Sequence, residues 1–295
     1  MKAILAILLI STIFSYSAFA QEIKIGEPAD QRVSIRISEN GDVHVTHEVK
    51  KPDSPKQVEF LSPDYTNFTI IDDEGEEPMY AEVSDKNPGI LLFPSGEDIT
   101  IEYDIEGVIQ EKNGLWTWDY VYLAETAFYL PQGVDLFYVN ENLVRLGDQK
   151  GLLCHGCQMK LEYELEPTII TKQVTWDGQT FDVKIITRTE ISKITLDQPN
   201  KILSFDVNEP NYPITLIIPQ DLLWNPYEVS LNDKLIQKQE RITQDGNVWL
   251  HLYPHEVGTI TILGVSVVPE FPLATVLVLS AAMVAVVYST RFSRH

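Results

Sequence analysis

The sequence predicts an all-β extracellular region of two antiparallel immunoglobulin-like β-sandwich domains in tandem, followed by one C-terminal transmembrane helix. Three observations carry this prediction. Apolar residues recur with a period of two along most of the chain, turn residues separate these short runs, and one long uncharged apolar run lies near the C terminus. The chain is 44% hydrophobic and 22% charged, which is the balance of a globular protein rather than a disordered one.

The clearest strand pattern comes early in the chain. Val33, Ile35 and Ile37 alternate with polar residues, Asn40-Gly41 follows, and a second strand-like run extends from residue 43 to 49. Asn and Gly adopt positive φ most readily, and both central positions of a type I′ turn require it. The pattern therefore predicts a β-hairpin closed by a two-residue turn at Asn40-Gly41.

Further short strand-like runs continue to about residue 263, interrupted by Gly, Pro, Asn and Asp. Many short strands separated by such turns are typical of antiparallel sandwiches and barrels. We place a domain boundary near Pro167, with domain 1 at residues 21–166 and domain 2 at residues 167–268. Each part then has roughly the hundred residues that an immunoglobulin-like sandwich needs.

The N-terminal residues 1–20 have the pattern of a signal peptide. Lys2 is followed by an apolar run, and Ala18-Phe19-Ala20 is the small-x-small pattern that precedes a cleavage site. We expect cleavage between Ala20 and Gln21, and therefore export. A retained N-terminal anchor is the alternative, and the shortness of the apolar run counts against it.

The C-terminal residues 269–295 predict a membrane anchor. No charged residue occurs from Phe271 to Tyr288, and eighteen helical residues rise about 27 Å, which is enough to cross a bilayer core. Arg291 and Arg294 follow this run, and positive charge resists translocation. We therefore expect a transmembrane helix over 271–288, a basic cytoplasmic end, and everything from Gln21 to the helix outside the cell.

The motif Pro269-Glu270-Phe271, the apolar helix and the basic end together resemble the PEF-CTERM and PEFG-CTERM sorting tails of archaeal surface proteins. Pro272 stands where the PEFG version has glycine. The resemblance covers residues 269–295. It implies an archaeal cell-surface protein, anchored in the membrane, whose tail is recognised by a membrane archaeosortase.

The charge balance restricts the class of partner. The chain has 22 Lys and Arg residues against 43 Asp and Glu residues, a formal net charge of −21. A phosphate backbone would be repelled, so nucleic acid is not an expected partner. Cations, envelope proteins with basic surfaces and glycans are better candidates.

Cys154-His155-Gly156-Cys157 contains the only two cysteines of the chain. An exported protein lies beyond the cytosolic reductants, and the spacing fits a turn whose Cα atoms are close enough for a bridge, so we expect a disulfide. The alternative is a redox dithiol, or a copper or zinc site made by Cys154, His155, Cys157 and Met159. A closed zinc site usually draws its four ligands from two separated pairs, which counts against the metal.

Three other features have weaker functional interpretations. The acidic run from Asp72 to Glu77 has the carboxylates that calcium prefers, although it does not match an EF-hand loop and a solvated turn is the alternative. Asn67-Phe68-Thr69 is a glycosylation sequon. Trp116, Trp118, Tyr120 and Tyr122 alternate along one strand, where they are expected to pack in a core rather than form a binding ladder.

These observations favour an exported, membrane-anchored protein of an archaeal cell surface with a structural, adhesive or binding role. The alternative is an extracytoplasmic redox or copper- or zinc-handling protein that uses the turn at Cys154 to Cys157. No nucleotide loop, nucleophile elbow, zinc-protease helix or paired-carboxylate motif occurs, so no enzymatic activity is predicted.

Overall fold

The computed structural model describes residues 27–83, 88–176, 178–265 and 283. Every element with defined bounds in these ranges is a β-strand, which confirms the all-β prediction. None of the described residues belongs to a helix long and apolar enough to span a bilayer. The predicted signal peptide, its cleavage site, the sorting motif and the 271–288 helix lie outside the described residues, apart from Met283.

The chain divides into two compact units, and the predicted domain boundary near Pro167 stays a prediction. Unit 1 comprises Met1–Val33 and Thr46–Asp104, and unit 2 comprises Ser34–Val45 and Ile105–His295. The strands up to the end of unit 1 are β1 (Glu27–Pro28), β2 (Gln31–Ile37), β3 (Val43–Val49), β4 (Lys56–Glu59), β5 (Tyr65–Asp72), β6 (Tyr80–Val83), β7 (Gly89–Leu92) and β8 (Ile99–Ile105).

Unit 1 contains sheet A, a four-stranded sheet in the order β1-β4-β7-β6, in which only the β1–β4 pair is parallel. Strands β2, β3, β8 and β5 are neighbours in that order in another sheet, and Ser34–Val45, which contains parts of β2 and β3, is assigned to unit 2. Along β8 buried and half-buried residues alternate strictly, as expected for a strand with one face in a core. The buried set includes Ile99, Ile101 and Tyr103.

The hairpin of β2 and β3 is confirmed, but the predicted type I′ turn is wrong. Gly41 has φ +83°, whereas Asn40 is absent from the residues with positive φ. The turn runs from Ser38 to Asp42 and is closed by Ser38 N–H donating to Asp42 O at 2.9 Å. Ser38 Oγ also accepts from the N–H of Asp42 at 3.1 Å. The serine hydroxyl thus accepts a backbone hydrogen bond within this longer turn, which needs positive φ only at the glycine.

Unit 2 holds the remaining strands. They are β9 (Gln110–Lys112), β10 (Leu115–Tyr122), β11 (Glu125–Tyr129), β12 (Leu136–Val139), β13 (Asn142–Arg145), β14 (Leu152–Cys154), β15 (Cys157–Tyr163), β16 (Ile169–Trp176), β17 (Gln179–Ile186), β18 (Thr195–Asp197), β19 (Ile202–Val207), β20 (Ile214–Pro219), β21 (Glu228–Leu231), β22 (Lys234–Leu235), β23 (Lys238–Ile242), β24 (Asn247–Leu252) and β25 (Gly258–Leu263).

Sheet C of unit 2 has the order β13-β12-β15-β10-β9. Strands β14 and β11 belong to sheet B, whose full order is β14-β11-β2-β3-β8-β5. The core interpretation of the β10 aromatic residues is confirmed for Trp118 and Tyr120, whereas Trp116 and Tyr122 are half-buried. Trp118 and Tyr120 are buried and meet edge to face with ring centroids 5.1 Å apart. Phe128 of β11 packs against Tyr120 at 4.8 Å.

Sheet D has the order β16-β17-β20-β24-β23, and sheet E the order β18-β19-β25-β21-β22. Buried residues of both sheets form one apolar cluster, in which Leu216 and Leu250 come from sheet D and Phe205 and Ile260 from sheet E. The inner face of each sheet is therefore covered by the other. The opposite face of sheet D carries polar residues at the end of β24, and these belong to the site described next.

Candidate functional site

The cysteines form a disulfide, as predicted. Cys154 is the last residue of β14 and Cys157 the first of β15, and their Cα atoms are 5.8 Å apart. Since β14 pairs with β11 and β15 pairs with β10, the bridge lies where the chain passes from one sheet to another. Cys157 is buried, whereas Cys154 is half-buried.

The other two residues of the predicted copper or zinc set have separate surroundings. The side chain of His155 is 71% exposed, and its Nδ1 lies 2.8 Å from Glu125 Oε2. Met159 is buried in the core. Both sulfur atoms are used by the disulfide, and no three His, Cys, Asp or Glu side chains in the described part of the chain are grouped closely enough to hold a metal ion. The geometry favours the disulfide over the metal alternative.

The acidic run forms the turn after β5. Asp72 Oδ1 accepts hydrogen bonds from the backbone N–H groups of Glu74 at 3.0 Å and Glu76 at 2.9 Å. This carboxylate therefore stabilises its own turn. Among the described residues no three His, Cys, Asp or Glu side chains are grouped to hold a metal ion, and calcium binding at Asp72 to Glu77 stays a prediction.

The sequon asparagine is accessible. Asn67 lies on β5 with an exposed side chain and φ +54°. Its Nδ2 donates to Asp104 Oδ2 at 2.7 Å. Glycosylation at Asn67 stays a prediction.

A second cluster, which no sequence motif indicated, is centred on the polar face of β15. Lys160, Glu162 and Glu164 occupy alternate positions and so share one face of sheet C. Glu162 is only 1% exposed, and Glu164 4%. Carboxylates are almost never buried to this degree unless they are paired. We call these three residues, together with Arg188, His251 and Tyr253, the polar seam.

Glu162 is held by two donors. Its Oε1 accepts from Lys160 Nζ at 2.8 Å and from the hydroxyl of Tyr253, which follows β24, at 3.0 Å. Lys160 Nζ also donates to the Tyr253 hydroxyl at 3.0 Å. Burial would lower the pKa of Lys160, but its hydrogen bonds to Glu162 and Tyr253 raise it above the ordinary value. Burial raises the pKa of Tyr253 to about 12. Oε2 of Glu162 has no hydrogen-bond partner.

Glu164 is paired with a cation from the C-terminal half of unit 2. Arg188 Nε donates to Glu164 Oε2 at 2.7 Å. Burial raises the pKa of the Glu164 carboxyl, and the adjacent Arg188 opposes that rise. Oε1 of Glu164 lacks a hydrogen-bond partner. The pair therefore keeps a charge in the interior at the cost of desolvation.

His251 completes the polar seam on β24. It is 3% exposed, and its ring stacks on Tyr138 of β12 with centroids 5.1 Å apart. Its Nε2 lies 3.0 Å from Glu141 O and its Nδ1 3.0 Å from Thr215 Oγ1. A carbonyl can only accept, so Nε2 carries the proton and Nδ1 accepts from the Thr215 hydroxyl. Burial lowers the pKa of His251 to about 4, so the ring is neutral at pH 7.

Two clefts are lined partly by residues of the polar seam. One, of about 460 Å³, includes His251, Tyr253 and His255 in its wall. The other, of about 410 Å³, includes Lys160 and Glu162 and is called the Glu162 cleft below. Both volumes fall within the range of small-molecule sites, roughly 300–1,000 Å³. The arrangement places buried hydrogen-bonding groups beside open space.

The polar seam was missed because its members are far apart in sequence. The hydrogen bond from Tyr253 Oη to Glu162 Oε1, for example, joins two residues that are 91 positions apart. The signal available was the regular alternation of charged and apolar residues from Met159 to Glu164. That alternation predicts one polar strand face, but only the tertiary structure shows that sheet D covers it.

The chain was also compared with known proteins. No protein-family model matches it, and no curated protein is significantly similar to it. The comparisons therefore assign no family.

Proposed function

We propose that this chain is an exported protein of an archaeal cell surface, held by a transmembrane helix at 271–288, with a binding role within the structural, adhesive and binding class. Its extracellular part would consist of immunoglobulin-like β-sandwiches. The single observation that carries the binding role is the pair of clefts beside the polar seam, where buried charges meet open space.

Export is supported by the disulfide-bonding distance between the two cysteines. Cys154 and Cys157 are bridged, and disulfides persist in compartments that lie outside the reducing cytosol. The terminal segments add support from sequence alone, since residues 1–20 read as a signal peptide and the tail from Pro269 as an anchor and sorting signal. An archaeosortase would be the partner of that tail.

Surface exposure is tested with the full chain expressed in an archaeal host. A protease added to intact cells should digest the region between Gln21 and Pro269 and leave a short membrane-protected C-terminal fragment. A variant in which Pro269, Glu270 and Phe271 are all alanine tests the sorting motif, and its anchored fraction should change size or abundance. Full protection of the chain in intact cells, together with digestion after lysis, would contradict export.

A redox protein is the second candidate, and one observation favours it. Cys154 is half-buried, so its sulfur is the one that an attacking thiolate could reach, with Cys157 as the leaving group. The reduction potential of the bridge decides between the two functions. A structural bond should have a potential below about −300 mV, and an exchange-active bond a distinctly higher one.

The structural alternative also predicts a modest change in stability. A bridge that closes a loop of four residues stabilises the fold by about 2 kcal/mol in the chain-entropy model. The Cys154→Ser, Cys157→Ser double variant should therefore lose about that much unfolding free energy, measured by urea titration. The wild type should take up no alkylating reagent before reduction. Ready alkylation of two thiols in the untreated protein would contradict the structural reading.

A further inference from the structure

The Glu162 cleft contains a buried acceptor without a donor. Glu162 lines the cleft and is 99% buried, yet only one of its two carboxylate oxygens has a hydrogen-bond partner. An unsatisfied buried polar group costs about 1–3 kcal/mol, and more when it is charged. Oε2 is itself buried, so a bound donor reaches it only if the carboxylate turns toward the cleft about its broad terminal torsion. The ligand must then also replace any bond that Oε1 loses to Lys160 or Tyr253. A bound group that donates a hydrogen bond would remove this cost.

The charges around the cleft select a neutral ligand. Lys112 and Lys160 contribute two positive charges to the lining, and Glu162 and Glu209 two negative charges. These charges cancel, so the lining itself gives no net attraction to an ion of either sign, and an anionic ligand would also be repelled by the formal net charge of −21 on the whole chain. A neutral ligand that carries both donors and acceptors can pair with every one of these groups and loses no charge hydration on binding.

The remaining walls fit a ring with a polar rim and apolar faces. Leu115, Pro210 and Tyr212 supply apolar surface, while Asn113 and Thr117 add hydrogen-bonding groups that are at least partly exposed. A pyranose ring presents C–H faces to apolar and aromatic side chains and hydroxyl groups to polar ones. The volume of about 410 Å³ is sufficient for a ligand of this size.

We propose that the Glu162 cleft binds a neutral saccharide, with one sugar hydroxyl donating to Glu162 and others accepting from Lys112 and Lys160. This inference rests on the proposed binding function and names the ligand class for one of its clefts. A glycan of the cell envelope would supply such a group on an archaeal surface.

The test uses the full chain in a detergent without sugar headgroups, since glycosidic detergents would compete. The probes are the methyl glycosides of glucose, mannose and galactose, with glucuronate and glucosamine as charged analogues. Saturation-transfer NMR detects contact, and titration calorimetry gives the affinity. At least one neutral glycoside should bind, and both charged analogues should bind more weakly.

The variants locate the binding. Glu162→Gln should weaken the glycoside about tenfold or more, because a charge-assisted hydrogen bond contributes about 1.5–3 kcal/mol. Glu190→Gln makes the same chemical change at an exposed residue that lines neither cleft and should leave the affinity unchanged. Lys112→Met tests the same cleft with an exposed residue, so that a folding defect in the Glu162 variant does not decide the matter.

Absence of binding by all three glycosides would overturn the inference, and an ordered water molecule would then be the donor to Glu162. Binding that is unchanged in both Glu162→Gln and Lys112→Met would also overturn it. The protease experiment on intact cells is independent of both results. A surface-exposed protein that binds no glycoside therefore refutes this inference alone.

Discussion

The polar seam should make unit 2 sensitive to mild acid through His251. The ring is neutral in the folded protein because burial lowers its pKa from 6.5 to about 4. In the unfolded chain the ring takes up a proton below pH 6.5, so the unfolded state binds more protons between pH 6.5 and pH 4. The contribution of His251 to the unfolding free energy is fully present above pH 6.5 and is lost as the pH falls toward 4.

The magnitude follows from the two pKa values. Between pH 7 and pH 5 the protonation of His251 in the unfolded state removes about 2 kcal/mol of unfolding free energy. This figure changes little if the folded pKa is one unit higher or lower, because pH 5 is then still at or above that pKa. Below pH 4 the total loss from His251 reaches about 3 kcal/mol.

Urea titrations at pH 7 and pH 5 measure the effect, followed by tryptophan fluorescence because all five tryptophans lie in unit 2. The control is His251→Gln, whose amide can still donate to Glu141 O and accept from the Thr215 hydroxyl but has no proton to gain. Other groups titrate in both proteins. The wild type should therefore lose about 2 kcal/mol more than the variant between the two pH values. Equal losses in the two proteins would refute the assignment of a buried neutral ring.

Two further substitutions test other contacts of unit 2 by the same urea assay. Gly41→Ala should lower the unfolding free energy clearly more than Gly133→Ala. Both glycines have positive φ, which costs an alanine about 1–2 kcal/mol. A Cβ at Gly41 would also lie 2.4 Å from the Trp116 ring, whereas Gly133 has open space. Equal costs would show that the ring gives way freely. Arg188→Met should cost about 3–5 kcal/mol because it leaves the Glu164 charge buried and unpaired, and adding Glu164→Gln should recover much of that loss. No recovery in the double variant would mean that Arg188 acts through packing instead.

Much of the fold could be predicted because the period-two pattern records which face of a strand is buried. The β2–β3 hairpin and β8 follow that pattern closely. Strand β23, with the sequence Lys-Gln-Glu-Arg-Ile, was not predicted, since most of it is exposed or half-buried at a sheet edge and apolar alternation is absent. Its pairing with β24 comes from backbone hydrogen bonds, which leave no mark on composition.

The candidate site was predictable only where it is local. The disulfide between Cys154 and Cys157 could be inferred because three positions along the chain fix the distance between the residues. The polar seam could not, since Glu162 is buried by residues that approach from another sheet. A single sequence does not show which polar face of a strand another sheet will cover.

The short spacing of the cysteines also has a consequence for the order of assembly. With only two cysteines there is one way to pair them, so no oxidative shuffling is needed to reach the native bond. The ends of a loop this short meet without help from distant chain segments, so the rate of bond formation depends on the oxidant rather than on the folding of the rest of the chain. The corner between β14 and β15 can therefore be fixed independently of sheet D. The face of β15 that carries Glu162 would then be a preset surface on which the later sheets assemble.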